Sequence, residues 1–259
     1  MFSNSKILKD HEEYLRKNLF FTSNKWPQYN LLFKDVKKIS KRLKKKQKVL
    51  ILERTNLYGG RSLFSPFFNQ NEVVSVDCVT KDLLKRGAYN SKKLNNSKII
   101  EIKSQYQFDY KKINLKKREF DFILIPNLMH HIEDPSILIK QSYNFLKKGG
   151  KIYIFEPLLR ELHQAPEDYF RFTPYGLKYL LKKNNYNKTK FYTTGGPFTA
   201  ILYFWDQALQ YLNGSTRKKR EKWFKKEFKE LLRLENKFKK NLLRKNTISP
   251  TAFSIIAQK

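Results

Sequence analysis

The sequence contains a single cysteine, Cys78, among its 259 residues. No disulfide can form within the chain, and a zinc site built from several cysteines is excluded. Long apolar runs are missing as well, because the longest, residues 197–212, is interrupted by Asp206, Gln207 and Gln210 and falls short of a bilayer span. Residues 1–17 carry charges where a signal peptide needs an apolar core. We therefore expect a cytoplasmic protein with no membrane-spanning segment.

Acidic residues are also scarce, with 23 Asp and Glu against 54 Lys and Arg, which gives a net charge of +31. A field of that sign attracts nucleic acid, anionic membranes or phosphorylated substrates. A compositional origin is the alternative, because Lys, Asn, Ile, Phe and Tyr are all abundant and the lysines are scattered along the chain. The apolar fraction of 40% excludes a disordered chain. The sequence leaves open whether the charge is functional.

The pattern divides the chain into a helical N-terminal cover, residues 1–46, and an α/β domain, residues 47–259. Within the domain, residues 197–246 form an insertion that contains a basic amphipathic helix from Thr216 to Lys245. Apolar residues recur at helical spacing in both helical segments, namely Leu31, Leu32, Val36, Ile39 and Leu43 in the first and Phe224, Phe228, Leu231, Phe238 and Leu242 in the second.

Short apolar runs predict buried parallel strands, and the first two end in acids, Glu53 and Asp77. A third strand, near residues 99–102 or 106–109, is left open. Helices are predicted from Pro135 to Leu146 and from Pro174 to Lys182, the second capped by Thr173, and a turn is predicted at Lys147–Gly150. The remaining strands are predicted at Val49–Leu52, Val73–Val76, Phe122–Ile125, Ile152–Phe155 and Ala252–Ala257.

Polar residues follow these strands at the edge where parallel sheets bind their ligands. They are Asn127, His130, His131, Glu156 and His163. Histidine is the natural general base near neutral pH, and three of the four histidines fall at this edge. The alternative for His131 is a hydrogen-bonded residue that supports its loop.

The start of the domain has a nucleoside-binding layout. Glu53 ends the first strand, a turn with Gly59 and Gly60 follows, and Asp77 ends the second strand. An acid in the second position holds ribose hydroxyls, while glycines let the backbone approach the ligand.

Three further segments carry a family resemblance: Phe120-Asp121, residues 127–132, and the Leu-Lys-Lys-Gly-Gly run at residues 146–150. Over residues 47–182, and at the closing strand 252–257, the chain resembles class I S-adenosylmethionine-dependent methyltransferases, in particular the small-molecule branch called methyltransferase type 11. The resemblance implies a Rossmann-like α/β fold, doubly wound around a mostly parallel seven-stranded sheet with helices on both faces. It also implies S-adenosylmethionine as the cofactor.

The resemblance carries over a set of cofactor-binding residues. In the family, glycines stand at the second, fourth and sixth positions after the first acid, where this chain has Thr55, Leu57 and Gly59. Asp77 matches the ribose-binding acid, and Cys78 matches a residue that packs on adenine. Asp109 with Tyr110 matches the adenine neighbours. The implied cofactor-binding set is Glu53, Thr55, Gly59, Asp77, Cys78, Asp109, Tyr110 and Asn127.

The implied reaction is methylation of a small molecule or glycan precursor, at oxygen, because residues 163–177 resemble a segment of family members found near polysaccharide genes. His163 is the first candidate for the catalytic base, followed by His130 and His131. Acceptor-binding candidates are Arg160, Arg171 and Tyr169. The alternative for Arg171 is an ion pair with Asp168 or Glu167. The prediction includes no metal site.

Other readings stay open. Thr55 and Leu57 favour a binding or scaffold protein that has lost the cofactor, and the charge alone favours an RNA-directed enzyme. A nucleic-acid partner is not supported, because residues 125–128 do not match the loop of adenine methyltransferases and Cys78 lies at the wrong strand end for a cytosine nucleophile. The helix at residues 216–245 either packs on the domain or touches the anionic inner face of a membrane. The oligomeric state is left open.

Overall fold

A computed structural model describes residues 27–53, 62, 64–77, 98–100, 115–163, 165–244 and 250–259. Within those ranges only the backbone is described for residues 27–30, 77, 98–100 and 239–244. Five predicted cofactor residues therefore lie outside the described part of the chain, namely Thr55, Gly59, Cys78, Asp109 and Tyr110.

Seven strands form one sheet in the order β3-β2-β1-β4-β5-β7-β6. Strands β1 to β5 are parallel to one another, and β7 runs antiparallel between β5 and β6. The bounds are β1 Lys48–Glu53, β2 Glu72–Asp77, β3 Lys98–Ile100, β4 Phe120–Pro126, β5 Leu146–Pro157, β6 Asn187–Thr194 and β7 Ala252–Gln258. This arrangement confirms the predicted α/β, mostly parallel sheet.

Five α-helices accompany the strands in the described residues. They are α1 Pro27–Arg42, α2 Pro135–Phe145, α3 Pro174–Lys183, α4 Pro197–Leu209 and α5 Gly214–Arg244. The predicted cap of α3 is present, because Thr173 Oγ1 accepts a hydrogen bond from the backbone N–H of Gly176 at 3.0 Å. Asp134 caps α2 in the same way through Ser136 and Ile137.

The helices cover both faces of the sheet. On one face, Leu32 and Val36 of α1 pack against sheet residues such as Ile51 and Phe155. On the other, α2 and α3 contribute Leu138, Ile139, Leu177 and Leu181 to the larger core cluster. Asp35 fastens α1 to the sheet by accepting hydrogen bonds from Tyr153 at 3.0 Å and from Ser254 at 2.9 Å. The result is a three-layer, doubly wound domain.

The segment at residues 147–150 differs from its predicted turn. Strand β5 already begins at Leu146, and the register shifts between the pairs Phe120–Leu146 and Phe122–Lys151, so the residues between them form a bulge. Gly149 takes a φ of 78°, a conformation that glycine adopts without strain. The helix expected to reach Leu146 ends one residue earlier, at Phe145.

Helices α4 and α5 lie between β6 and β7 in the chain, where the insertion was predicted. Leu202 and Leu209 of α4 pack against Phe224 of α5. Glu235 of α5 accepts hydrogen bonds from the backbone N–H and the hydroxyl of Thr199 at 2.7 and 2.6 Å, next to the N-terminus of α4. None of the helices within the described residues has the length and apolar character that a membrane span requires.

Candidate functional site

The carboxyl ends of β1, β2 and β4 lie side by side because these strands are neighbours in the sheet. Glu53 and Asp77 are paired residues at the ends of β1 and β2. Asn127 follows the last residue of β4. The sheet therefore brings together the three predicted cofactor residues whose backbone is described, at the edge where such sheets bind ligands.

Glu53 is buried and anchored by two serines. Its Oε1 atom accepts a hydrogen bond from Ser75 on β2 at 2.8 Å and another from Ser62. The hydroxyl of Ser62 in turn accepts from the backbone N–H of Ser65 at 3.0 Å. Glu53 thus ties the chain after β1 to the neighbouring strand, which the sequence did not predict.

Asn127 has a left-handed backbone with a φ of 57°. This conformation is uncommon for residues other than glycine, and asparagine tolerates it better than most. Its backbone N–H donates to the carbonyl of Phe155 at 2.8 Å. Its Oδ1 atom is buried and has no hydrogen-bond partner among the described residues. A buried acceptor of this kind is typical of a position that a ligand donor completes.

His130 and Glu156 form a fully buried pair. The Nδ1 atom of His130 lies 2.6 Å from Oε2 of Glu156. Glu156 also accepts backbone hydrogen bonds from Leu128 and Met129 at 3.0 and 2.7 Å and from His130 at 3.3 Å. The carboxyl of β5 therefore fixes the one-turn 3-10 helix Met129–His131 that follows β4.

Burial dominates the protonation of this pair. It raises the pKa of Glu156 to about 8, and the backbone donors only partly oppose it. Burial, helped by the positive charge of Arg160 and Arg171, lowers the pKa of His130 well below its usual value. Near neutral pH, Glu156 is protonated and donates to Nδ1 of His130, so the Nε2–H of His130 points away from the carboxyl.

His163 completes a cluster with the other two histidines. Its Nε2 atom lies 3.4 Å from Nε2 of His130, and its Nδ1 atom lies 3.1 Å from the carbonyl oxygen of Glu161. His131 donates from Nδ1 to the carbonyl oxygen of Glu167. The ring centroids of the three histidines are 4.0 to 5.3 Å apart. The prediction that the three share one edge of the sheet agrees with this geometry.

The cluster is held by the segment that follows β5. The carbonyl oxygen of His130 accepts backbone hydrogen bonds from Tyr169 at 2.9 Å and from Phe170 at 3.3 Å. Asp168 accepts from the backbone N–H of His163 at 3.0 Å. Tyr169, a predicted acceptor-binding residue, keeps 39% of its surface exposed beside this cluster.

Arg171 forms the ion pair that the sequence analysis gave as its alternative. Its two terminal nitrogens lie 2.6 and 2.7 Å from the two carboxylate oxygens of Asp168, and it also donates to the carbonyl oxygen of Glu161 at 2.9 Å. These hydrogen bonds lower the pKa of Asp168 well below its usual range, against the opposing effect of burial. Arg160 lies next to Glu161, 3.4 Å from its carboxylate. The positive charge of Arg160 helps burial to lower the pKa of His163.

Sequence reasoning found the histidines but missed how they are joined. Glu156 was predicted to follow its strand, yet it lies inside β5 and is completely buried. Asp168 was considered only as a partner of Arg171. A signal was present, because a Glu that ends an apolar strand has to find hydrogen-bond donors when it is buried.

Comparison with known proteins finds one matching family model. A family model described as a methyltransferase domain matches residues 59–154. No curated protein sequence gives a significant match.

Several solved structures are similar to this chain at low sequence identity. A SAM-dependent methyltransferase from Archaeoglobus fulgidus is 17% identical over 96% of this chain and 99% of that chain, with a TM-score of 0.49. A putative methyltransferase from Bacillus halodurans is 17% identical over 87% of this chain and 97% of that chain, also with a TM-score of 0.49. A complex of the Haloferax volcanii Trm112 methyltransferase activator with a putative methyltransferase gives 9% identity, 98% and 96% coverage, and a TM-score of 0.50.

The domain match agrees with the predicted enzyme class and with S-adenosylmethionine as its cofactor, and the sheet agrees with the predicted fold. Residues 59–154 are thus similar to a methyltransferase domain, in line with the resemblance found in the sequence.

Proposed function

We propose that the protein methylates a hydroxyl group of a small molecule or glycan precursor in cell-surface polysaccharide metabolism. The histidine cluster supports this proposal most directly. Its three imidazoles lie beyond β4 and β5, and the side chain of His163 is 10% exposed, so one ring reaches the surface of the site. Methylation of a hydroxyl requires removal of its proton, a task that suits neutral imidazoles.

The lowered pKa of His163 supports its role as the proton acceptor. Burial is the main cause, and the nearby charge of Arg160 adds to it. An imidazole with a lowered pKa is neutral near pH 7, which is the form that accepts a proton. His130 and Glu156 lie behind His163, and the Nε2–H of His130 donates to Nε2 of His163. The acceptor hydroxyl is proposed to displace this hydrogen bond, because Nδ1 of His163 faces the carbonyl oxygen of Glu161 and only Nε2 can take the proton.

The cofactor is proposed to lie against the ends of β1, β2 and β4. Glu53, Asp77 and Asn127 end these strands, and the unpartnered Oδ1 atom of Asn127 fits a donor such as the ammonium or adenine amino group of S-adenosylmethionine. When bound, the cofactor supplies an electrophilic methyl group. The residues implied by the resemblance in the part of the chain without described structure, such as Gly59 and Asp109, are proposed to complete this pocket.

Arg160 and Tyr169 are proposed to bind the acceptor. Both lie in the segment that holds His163, and Tyr169 is exposed there. Arg171 is already paired with Asp168, so we propose that it shapes this segment and supplies positive charge at a distance. A positive lining suits an acidic or phosphorylated acceptor, as many activated sugars are.

The acceptor class is tested by incubating the full chain with S-adenosylmethionine and separate panels of nucleotide sugars, lipid-linked sugars, small phenols, small amines, and tRNA and rRNA. Formation of S-adenosylhomocysteine that depends on one panel, with the new methyl group on oxygen by mass spectrometry and NMR, supports the proposal. Turnover only with amine acceptors, or only with tRNA or rRNA, contradicts it. Binding of S-adenosylmethionine without turnover on any panel contradicts the proposed acceptor class, whereas absence of both binding and turnover favours the scaffold alternative.

We propose in addition that α5 contacts an anionic membrane surface at the cytoplasmic face. Residues 214–244 carry 13 Lys and Arg against four Glu, and Trp223 is 43% exposed among these charges. On α4, Ile201 is 52% exposed and Phe204 is 55% exposed. Basic residues combined with apolar side chains are typical of helices that lie in a membrane interface.

Co-sedimentation with vesicles tests this contact. Binding to vesicles with anionic lipid, lost with neutral vesicles and weakened by Lys218→Glu with Lys222→Glu, supports the proposal. Lys178→Glu with Lys182→Glu, on α3, is the matched control. Equal binding to neutral and anionic vesicles, or no binding to either, contradicts it.

A further inference from the structure

Three histidines and one aspartate converge at the site edge in a way that suits a metal ion. One potential ligand atom from each of His130, His131, His163 and Asp168 lies within 4.8 Å of all the others. Sequence analysis predicted no metal site, because the residues come from two distant segments, the turn after β4 and the loop after β5. We propose that this cluster binds one divalent transition-metal ion, with zinc as the best-fitting candidate.

The main support for this proposal is the distance between Nε2 of His130 and Nε2 of His163. His130 and His163 face each other through these atoms at 3.4 Å. In a tetrahedral zinc site with Zn–N bonds of about 2.0–2.1 Å, two ligand nitrogens lie about 3.4 Å apart. The observed separation of the two Nε2 atoms therefore matches the distance between two ligand nitrogens in such a site.

The outer atoms of the three rings have the partners that metal-binding histidines need. The Nδ1 atom of His131 faces the backbone carbonyl of Glu167, and Nδ1 of His163 lies 3.1 Å from both the backbone carbonyl of Glu161 and Oδ2 of Asp168. All of these oxygens can only accept hydrogen bonds. Both rings therefore donate from Nδ1 and keep a lone pair on Nε2. The Nδ1 atom of His130 faces the carboxyl of Glu156. A carboxylate or carbonyl behind each imidazole is the usual outer shell of a metal-binding histidine.

Metal binding would exchange one proton for the ion. In the metal-free protein, the Nε2–H of His130 donates a hydrogen bond to Nε2 of His163. When the ion takes that place, this proton leaves to solvent, and Glu156 becomes a carboxylate that accepts from Nδ1 of His130. Each nitrogen then gives one lone pair to the metal, and the site gains one net positive charge, because a divalent ion enters and one proton leaves.

The ligand set indicates which ions bind. Three imidazole nitrogens suit zinc, cobalt or nickel, whereas magnesium and calcium prefer oxygen ligands. Asp168 is neutralised by Arg171, with both carboxylate oxygens engaged at 2.6 and 2.7 Å. It is therefore the weakest of the four ligands, and its position is the one that a hydroxyl of the acceptor could take.

A metal ion bound here would give the cluster a direct part in activating the acceptor. Bound to an acceptor hydroxyl, a divalent ion lowers the pKa of that hydroxyl and helps it lose its proton. His163 would then act as a ligand. This use in catalysis rests on the proposed function, whereas binding of the ion does not.

Direct metal titration tests the inference. The full chain, purified without a histidine tag and stripped by a chelator, is titrated with Zn²⁺ by calorimetry and with Co²⁺ by visible absorption. One Zn²⁺ per chain with micromolar or tighter affinity is expected, together with the intense visible bands of tetrahedral Co²⁺. Mg²⁺ is expected not to compete. No binding of Zn²⁺ or Co²⁺ by the folded protein overturns the proposal.

Two variants locate the site. His163→Ala is expected to weaken Zn²⁺ binding by more than about 100-fold, since loss of a ligand costs more than loss of its outer partner. Glu156→Gln is expected to weaken it about 10–100-fold. His11→Ala, which removes the one histidine that the proposal does not name as a ligand, is the control and should bind as the wild type does. Unchanged binding by a folded His163→Ala protein overturns the proposal, whether or not methyl transfer is detected.

Discussion

The Nδ1 atom of His130 lies 2.6 Å from Oε2 of Glu156, and neither side chain is exposed to solvent. This contact couples protonation to stability. Because burial raises the pKa of Glu156 from its ordinary value to about 8, the folded protein holds a proton that the unfolded chain releases near pH 4.5. The stabilisation is therefore complete below about pH 4.5 and is lost as the pH rises through 8.

The pH dependence of unfolding checks this coupling in chelator-treated protein. The free energy of unfolding is expected to fall by at most about 1.4 kcal/mol per pH unit between these two values through this group. Glu156→Gln mimics the protonated carboxyl, so the difference between wild type and variant should grow as the pH is raised. Parallel curves for the two proteins between pH 5 and 9 would show that Glu156 is ionised in the folded state.

His163→Ala is expected to lower turnover by about 10²–10⁴-fold, because the variant loses the group that receives or helps release the acceptor proton. Binding of S-adenosylhomocysteine should stay unchanged, since His163 lies on the acceptor side of the site. Turnover comes from product formation and cofactor affinity from calorimetry, with His11→Ala as the control. A loss of cofactor affinity that matches the loss of turnover would place His163 in the cofactor pocket.

Asp77→Ala is expected to weaken binding of S-adenosylhomocysteine about 10–100-fold, because hydrogen bonds from ribose hydroxyls to a charged group contribute about 1.5–3 kcal/mol. Glu72→Ala, at the opposite end of β2, is the control and should bind normally. Calorimetric titration of both variants makes the comparison. Equal affinity in wild type and Asp77→Ala would mean that the cofactor lies elsewhere.

Arg171→Ala is expected to lower the free energy of unfolding by about 3 kcal/mol, because Asp168, 4% exposed, would keep a buried charge without its partner. The ion pair stabilises the folded protein at pH values above the ordinary pKa of an aspartate. This stabilisation is lost on acidification, since Arg171 lowers the pKa of Asp168. Arg217→Ala breaks an exposed pair with Glu221 and should cost less than about 0.5 kcal/mol. Denaturant unfolding at pH 7 measures both, and equal small effects would contradict the account.

The strands were predictable because most of them are buried on both faces. Runs such as Val49–Leu52 and Phe122–Ile125 are continuously apolar, and all of their residues are buried. Strand β6 was missed because, among the described strands, it pairs with β7 alone, and its residues from Asn187 to Thr194 are mostly polar and none is buried. An edge strand gets its structure from its partner, so its own residues carry little pattern.

The site was predictable in position and not in its contacts. Asn127, His130 and His163 follow predicted strands, which is enough to place them at one edge of the sheet. The cluster itself depends on the chain after β5 folding back, so that Tyr169 donates to the carbonyl oxygen of His130. That contact joins residues about 40 positions apart in the sequence, and no periodicity in the chain encodes it.

Titration of the folded full-length chain with S-adenosylmethionine and, separately, with S-adenosylhomocysteine tests the central claim most directly. The account predicts one site per chain, affinities in the micromolar range and a raised melting temperature, in spite of Leu57 in the loop after β1. Absence of heat with both ligands, together with an unchanged melting temperature at millimolar ligand, would contradict the account and favour a scaffold that kept the fold without the cofactor.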